Sequence, residues 1–388
     1  MRVRSRVLLG VGILCVGCVM LMERNVSAGR DAKAISAEVE KGLLADVDKE
    51  LKAFGGNQSV PGAVVGVWMP GAAPWVRAVG LGNLSPRDAM RLDDKFRVGS
   101  NTKTFVVTVL LQLVDEGKLS LDDSLAKFDV GVKVPNAEHI TVRELCQMRS
   151  GLLDAYHAPE LDSMNINAQT KITPRELVAI AVKHPPLFAP GAQWNYSNTN
   201  YLLLGLIVEA VTHDTAQNEI QKRLLGPLKL GNTSFPVEQV GMAAPFSHGF
   251  ALNKEKNWED VTVTLPPMLT WTAGVMISDM ADMKSWVKDY VSGKTNSAAT
   301  QKERLACVPT GRPGLEFGLG IGCSSGWYGY TGGIPGYNTA AYYLPSRDAT
   351  IIAFVNAQEE TPEPGVANSI VRDFTRRLFP ENLAFGGK

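Results

Sequence analysis

The chain has 388 residues, 45% of them apolar and 20% charged, which suffices for a large core in one big domain or two closely joined ones and excludes a disordered chain. Its 39 lysines and arginines balance 39 aspartates and glutamates. No global field therefore draws it to nucleic acid or an anionic membrane, and the expected partner is a small molecule or a peptide.

The first element is a leader. Met1-Arg-Val-Arg-Ser-Arg6 precedes an apolar run from Val7 to Met22 and the small residues of Val26-Ser27-Ala28, the pattern of an export signal over residues 1–28 with cleavage after Ala28. The run is long for a signal core but short for a transmembrane helix, so an uncleaved N-terminal anchor is the alternative, and only then is membrane contact expected. A lipoprotein form would use Cys18, but Cys15 stands where a leucine is wanted. An exported protein, periplasmic or secreted, meets an oxidising compartment that permits disulfides. Beyond the leader, Cys146 lies in a helical pattern as a small buried hydrophobe. Cys307 and Cys323 can pair across a short loop, worth roughly 3 kcal/mol. The five histidines show no metal-ligand spacing, so no metal is expected.

Apolar residues at helical spacing from Ile35 to Phe54 end at Gly55-Gly56, and two strand-like runs follow, Gly62 to Trp68 and Trp75 to Leu81, joined by the Pro70-Gly71 turn signal. Phe96-Arg97-Val98-Gly99 leads into Ser100, and the stretch from Asn101 to Glu116 is so broadly apolar that it reads as a central buried helix. Helical segments then dominate: Val142 to Met148, Pro174 to Lys183, Tyr201 to Val211 and Ala216 to Leu225. Strand chemistry returns at Phe317 to Gly322, Trp327 to Tyr330, Thr339 to Leu344 and Thr350 to Val355, before a last helix from Gly365 to Leu378. The expected fold is α+β, an antiparallel sheet built from both ends of the chain and flanked by helices on both faces, plus an all-α lobe. Residues 29–118 and 262–388 form the sheet domain in this reading, and 119–261 the helical one.

A serine hydroxyl needs a neighbouring base, which in a Ser-x-x-Lys pair is a lysine three positions on. Three helical residues turn the chain by about 300°, leaving the two side chains on one face. Ser100–Lys103 fits, but so do Ser124–Lys127 and Ser285–Lys288. Context separates them. Ser100 stands where an extended run enters a buried helix, so its hydroxyl meets a helix N-terminus, and Lys103 is carried into an apolar interior that lowers its pKa. Ser285 and Lys288 lie on an amphipathic surface helix, and Ser124 and Lys127 follow Asp122-Asp123.

Tyr196-Ser197-Asn198 is the one Tyr-x-Asn of the chain. Its phenol can relay a proton and its amide can orient the lysine, although Ser197 or Asn198 can also serve as an ordinary helix cap. Tyr330-Thr331-Gly332-Gly333 lies between strand-like runs, where glycines let a substrate approach the backbone or mark a bulge.

With these motifs the sequence resembles the serine β-lactamase and DD-peptidase superfamily, penicillin-binding and class C-like, and most closely D-alanyl-D-alanine carboxypeptidases of the actinomycete type. The carriers are Phe96-Arg-Val-Gly-Ser-Asn-Thr-Lys103, Leu110 to Leu119, Ser150-Gly-Leu152, Pro190-Gly191 with Tyr196 to Asn200, Thr270-Trp-Thr-Ala-Gly274 and Tyr330 to Tyr337. The resemblance implies Ser100 as acylated nucleophile, Lys103 as its base and Tyr196 as proton relay. Asn198 and Tyr330 to Gly333 would contact substrate, the N–H groups of Ser100 and Gly333 would hold the oxyanion, and no cofactor is needed.

Two departures bear on specificity. The family usually has histidine or lysine where Tyr330 stands, and its closest members carry a carboxylate-reading arginine on the preceding strand, whereas no arginine or lysine lies here between Arg312 and Arg347. Met148 also replaces a frequent histidine, at a position that reads as structural. The resemblance therefore implies a carboxypeptidase-like hydrolase first, an esterase or amidase next, then a β-lactamase or a non-hydrolytic penicillin-binding protein. Gly322-Cys-Ser-Ser-Gly326 fits the Gly-x-Ser-x-Gly of α/β-hydrolases, but the last histidine is His248 and none follows that serine.

Overall fold

The computed structural model describes residues 34–54, 59–358 and 365–386, so the leader lies outside the described residues. A nine-stranded antiparallel sheet organises them. Its strands in chain order are β1 (Gly62–Trp68), β2 (Trp75–Leu84), β3 (Arg87–Ala89), β4 (Val308–Pro309), β5 (Glu316–Phe317), β6 (Gly322–Ser324), β7 (Trp327–Ile334), β8 (Tyr337–Leu344) and β9 (Ala349–Val355). Their spatial order is β3-β2-β1-β9-β8-β7-β6-β5-β4. Ala63 of β1 lies opposite Val355 of β9, so the two ends of the chain meet near the middle of the sheet.

Side chains alternate across each strand, and here both faces are covered. Ala63, Val65 and Val67 of β1, with Ile351 and Ala353 of β9, pack under helix α1 (Ala37–Phe54) and the last helix, Val366–Leu378, against Leu43, Val47, Ile370 and Phe374. Val64, Ile352 and Phe354 point the other way, into the larger core that holds Phe105 and Trp286. Phe105 belongs to α2 (Thr102–Asp115) and Trp286 to the helix Met280–Val291, and their rings stack at 3.9 Å. Burial on both faces makes every residue of β9 buried, which is why such strands read as unbroken apolar runs.

The expected strand from Phe317 to Gly322 is instead a hairpin. The Gly318 N–H donates to the Ile321 carbonyl at 2.8 Å and Gly320 takes φ +64, so the run folds back and β5 pairs with β6. Leu319 and Ile321 enter the large core at the bend. The strand beginning at Trp327 runs on through the glycines to Ile334, because each residue there has a partner on β8.

Between residues 119 and 261 lie the helices Val142–Cys146, Pro174–Ala181, α3 (Thr199–Thr212) and Ala216–Ile220, with a short hairpin of Phe250–Leu252 and Trp258–Asp260. The helix expected from Ala216 to Leu225 changes to a π turn over Gln221–Leu225. α3 is buried at every position from Thr199 to Val208, as expected of a helix apolar all round. Cys307 and Cys323 form a disulfide; Cys146 is free, and burial pushes its thiol up to about 12. Among the described residues no helix is long and apolar enough to cross a membrane, and no cluster of metal-ligating side chains occurs.

Candidate active site

Ser100 sits in a tight 3₁₀ turn, Gly99–Asn101, that runs directly into α2. Three contacts hold this turn. The Thr102 hydroxyl donates to the Gly99 carbonyl at 2.7 Å, the Val98 N–H donates to the Met276 carbonyl at 2.9 Å, and the Asn101 amide donates to the Thr339 hydroxyl of β8 at 3.0 Å. Glycines then bring β7 against it. Gly99 has φ +51, and a Cβ on it would stand 2.9 Å from the Gly333 nitrogen, while one on Gly332 would collide with the Val98 carbonyl oxygen. The absence of side chains at these positions sets the Gly333 amide beside the turn that carries Ser100. Amides at the first turn of a helix lack intrahelical partners and favour negative charge.

Lys103, one turn on, has no solvent exposure. Its Nζ donates to the Ser100 Oγ at 2.8 Å, to the Asn198 Oδ1 at 2.8 Å and to the Ala273 carbonyl at 2.6 Å. The three protons of an ammonium are thus matched by three oxygens, yet desolvation outweighs them. Burial lowers the pKa to about 7, against an upward influence of Asp154. Two of the three partners differ in kind from the third: the carbonyl and the amide oxygen can only accept, whereas a hydroxyl can also donate. When Lys103 loses a proton its lone pair therefore has one partner able to fill it, the Ser100 hydroxyl. An amine so placed can take a proton only when neutral, so a reaction that uses Lys103 as its base is expected to show kcat/KM rising with pH through about 7 and vanishing below it. A pH–rate profile of acylation checks this, and a rise near pH 10 would contradict it.

The carbonyl of Ala273 comes from a strained segment. Within the helix Pro267–Gly274, Trp271 takes φ +32 and ψ −124, a conformation costing a bulky residue roughly 1–3 kcal/mol. Val275 N–H still bonds to the Trp271 carbonyl at 3.0 Å, leaving the Ala273 carbonyl to the lysine.

Tyr196 and Asn198 approach from the residues that start α3. The Tyr196 and Ser100 hydroxyls are 2.7 Å apart, across 96 residues of chain. Asn198 occupies the N-cap position of α3 but makes no capping bond with its side chain; its oxygen goes to Lys103, and its Nδ2 donates to Asp154 Oδ2 at 2.8 Å. The alternative of an ordinary cap thus does not describe Asn198. Met148 is fully buried, and its sulfur accepts at 3.5 Å from both the Ser197 N–H and the Asn200 amide, which is a packing role.

A cleft of ≈ 520 Å³ opens beside Tyr196, walled by Trp194, Phe317, Tyr330, Thr331 and Phe385, with Arg312 among its lining. Phe317 stands between Trp194 and Tyr330, 5.7 Å from each ring, tilted against the first and edge-on to the second. Tyr330 is only 4% exposed. Burial first, then the neighbouring Tyr196 phenol, pushes its hydroxyl well above the usual phenol range. It offers the cleft an aromatic face and no cation. Thr331, Gly332 and Gly333 continue the strand past Ser100.

The structure thus brings Ser100, Lys103, Tyr196 and Asn198 into one hydrogen-bonded group and sets Thr331 to Gly333 along its edge. Asp154, the Ala273 carbonyl, Thr339 and Arg312 join them without having been singled out by the sequence reading. Arg312 lies 5.2 Å over the Trp194 ring, and only its place in the cleft wall distinguishes it from other loop arginines. The rival serines lie elsewhere. Ser285 is half-buried and donates to the Ala281 carbonyl, Lys288 pairs with Asp348, and Lys127 pairs with Asp123. Ser324 is spent on the Gly314 carbonyl.

A buried lysine bonded to a serine at the head of a central helix, a tyrosine hydroxyl on that serine and an adjoining sheet strand define the class of penicillin-recognising serine hydrolases. The Beta-lactamase family model matches residues 47–375, and the chain belongs to that family. Among solved structures it resembles a D-stereospecific amidohydrolase from Streptomyces sp., at 30% identity and TM-score 0.75, over 87% of this chain and 98% of that one. The D-amino acid amidase of Ochrobactrum anthropi SV3, solved with D-phenylalanine, shares the fold at 21% identity and TM-score 0.78, over 88% and 99% of the two chains. "Protein flp" of Staphylococcus aureus (strain COL) is 24% identical over 317 residues, 78% of this chain; the match spans 60% of that relative's length.

Proposed function

We propose that this protein is an exported amidase or esterase that acts through an acyl-enzyme on Ser100, on small substrates with a D-configured, apolar acyl group. The carrying observation is the lone-pair geometry at Lys103: two pure acceptors hold the amine and leave Ser100 as its one possible donor. Neutral Lys103 takes the Ser100 proton as Oγ attacks the substrate carbonyl. The N–H groups of Ser100 and Gly333 receive the oxyanion. As the C–N or C–O bond breaks, the Tyr196 hydroxyl hands a proton to the leaving group and recovers one from Lys103. Water, deprotonated by the same pair, then releases the acid and restores Ser100.

Support for amides and esters over substrates with a free carboxylate comes from Tyr330, a buried neutral side chain where the family resemblance leads one to expect a cation. The aromatic walls suit an apolar side chain, and the D-configuration follows the Streptomyces amidohydrolase. Export follows the leader pattern and is in keeping with the disulfide. A carboxypeptidase-like action on D-alanyl-D-alanine peptides is the second reading, favoured by Arg312, a cation in the cleft wall.

The test is a panel of D- and L-phenylalanine amides, a chromogenic short-chain ester, a D-Ala-D-Ala peptide and a fluorescent penicillin, read by turnover and intact mass. Turnover of the D-amide and the ester above the peptide, lost in Ser100→Ala and kept in Ser285→Ala, is expected. No adduct and no turnover with any of them would sink the enzyme reading, and peptide turnover above amide turnover would install the second one.

A further inference from the structure

Asparagine amides are nearly symmetric in shape, so something must decide which end of Asn198 meets Lys103. The answer is across the amide. Asp154, 3% exposed, follows the Ser150-Gly151-Leu152 segment and places Oδ2 2.8 Å from the Asn198 Nδ2. Its other oxygen accepts from the Tyr156 N–H at 3.1 Å and so caps the turn Ala155–His157. A carboxylate can only accept, so the amide nitrogen must face it and the amide oxygen must face the lysine.

We propose that Asp154 is a positioning residue: by holding the Asn198 nitrogen it forces the amide oxygen onto Lys103 and so aims the amine's lone pair at Ser100. With the amide reversed, its N–H would point at Lys103 and compete with the Ser100 hydroxyl for that lone pair. The nucleophile would lose its base without any atom of either being changed. The chain Asp154, Asn198, Lys103, Ser100 is continuous in hydrogen bonds of 2.8 Å each.

The other groups around Lys103 leave this role to Asp154. The Tyr196 and Tyr201 rings lie 5.1 and 5.4 Å from Nζ. The Tyr201 hydroxyl is committed to the Cys146 carbonyl at 2.9 Å and the Tyr156 hydroxyl to the Leu269 carbonyl at 2.7 Å. The Tyr196 hydroxyl is on Ser100, and the Ala273 carbonyl can only accept. Among the described residues Asp154 is the one group whose charge raises the Lys103 pKa against burial, so its loss and a reversed amide both favour the neutral amine.

This inference rests on Lys103 as the base, and its test has a readout independent of turnover. In the full chain labelled with ¹⁵N-lysine, the Lys103 Nζ signal, assigned by its loss in Lys103→Met, is titrated in wild type, Asp154→Asn and Asp154→Asn/Asn198→Asp. Asparagine at 154 keeps the cap on Tyr156 but turns a donor toward Asn198. The single variant is expected to titrate at least about 0.5 pH unit below wild type. The double variant, which puts a carboxylate directly on the amine, is expected at least as far above it. With the best substrate of the panel, the single variant is expected to lose roughly 10- to 100-fold in kcat, with KM within about twofold, and a melting temperature close to wild type. Unchanged titration in both variants overturns the proposal, as does loss of the folded state in both, which would assign Asp154 to the scaffold. Shifted titrations in a protein that turns over nothing would uphold this positioning and reject the function proposed above.

Discussion

Replacing Lys103 by methionine is expected to leave a folded protein whose acylation rate falls by about 10³- to 10⁴-fold, the upper part of what a general base contributes. Methionine fills nearly the same volume in a site without solvent, so Ser100 keeps its turn and loses only its proton acceptor. The same variant should change how stability depends on pH. The folded pKa of Lys103 is about 7, against an ordinary value of 10.5, so between those limits the unfolded chain binds a proton at this site that the folded chain does not. Stability contributed by this group therefore rises with pH across that window, by roughly 5 kcal/mol in all, and below pH 7 the full penalty of burying the charge is felt. Lys103→Met lacks that component. Denaturant melts of both proteins at pH 7 and pH 9.5 would show wild type gaining more than the variant; equal gains would contradict the buried, weakly basic amine.

Gly332→Ala is the second change expected to have a large effect, although residue 332 has no side chain to lose. A Cβ there would collide with the Val98 carbonyl oxygen and press on the Thr339 hydroxyl. Thr339 itself donates to that carbonyl at 3.0 Å and accepts from Asn101, so neither neighbour can yield without moving the turn that holds Ser100. The strand must retreat, and with it the Gly333 amide. Losing one oxyanion donor lowers kcat by roughly 10²- to 10³-fold, and overpacking a close backbone contact destabilises by about 1–3 kcal/mol. A kcat loss much larger than any change in KM, together with a lowered denaturation midpoint, is the expected pair of results. Gly117→Ala is a useful comparison, because nothing lies within 4 Å of the Cβ it would add; its positive φ of +69 strains the backbone far from Ser100 and should leave kcat alone.

The covered faces of the sheet explain why most strands could be read from the sequence. β1, β8 and β9 are buried on both sides and appear as apolar runs, and the helices at each end of the chain show the spacing of a single buried stripe. The stretch from Phe317 to Gly322 misled because periodicity cannot distinguish one buried strand from two short ones around a bend. Gly318 and Gly320 supplied the bend. Ser100 was separable from Ser124 and Ser285 by local signals alone, namely Gly99 before it and an apolar helix after it. Asp154, Ala273, Thr339 and Arg312 left no comparable mark. One acts through a main-chain carbonyl that any residue possesses, and the others are common polar residues whose partners lie 44 to 241 positions away.

From its sequence alone, this protein is determined as an α+β chain with a serine and a lysine one turn apart at the head of a buried helix, because helical spacing and desolvation are local properties. Which oxygens hold the lysine, which way its lone pair points and what walls the cleft were decided only when distant segments met. Hydrogen bonds depend on direction as well as distance, and direction is fixed by packing between elements that the sequence keeps far apart.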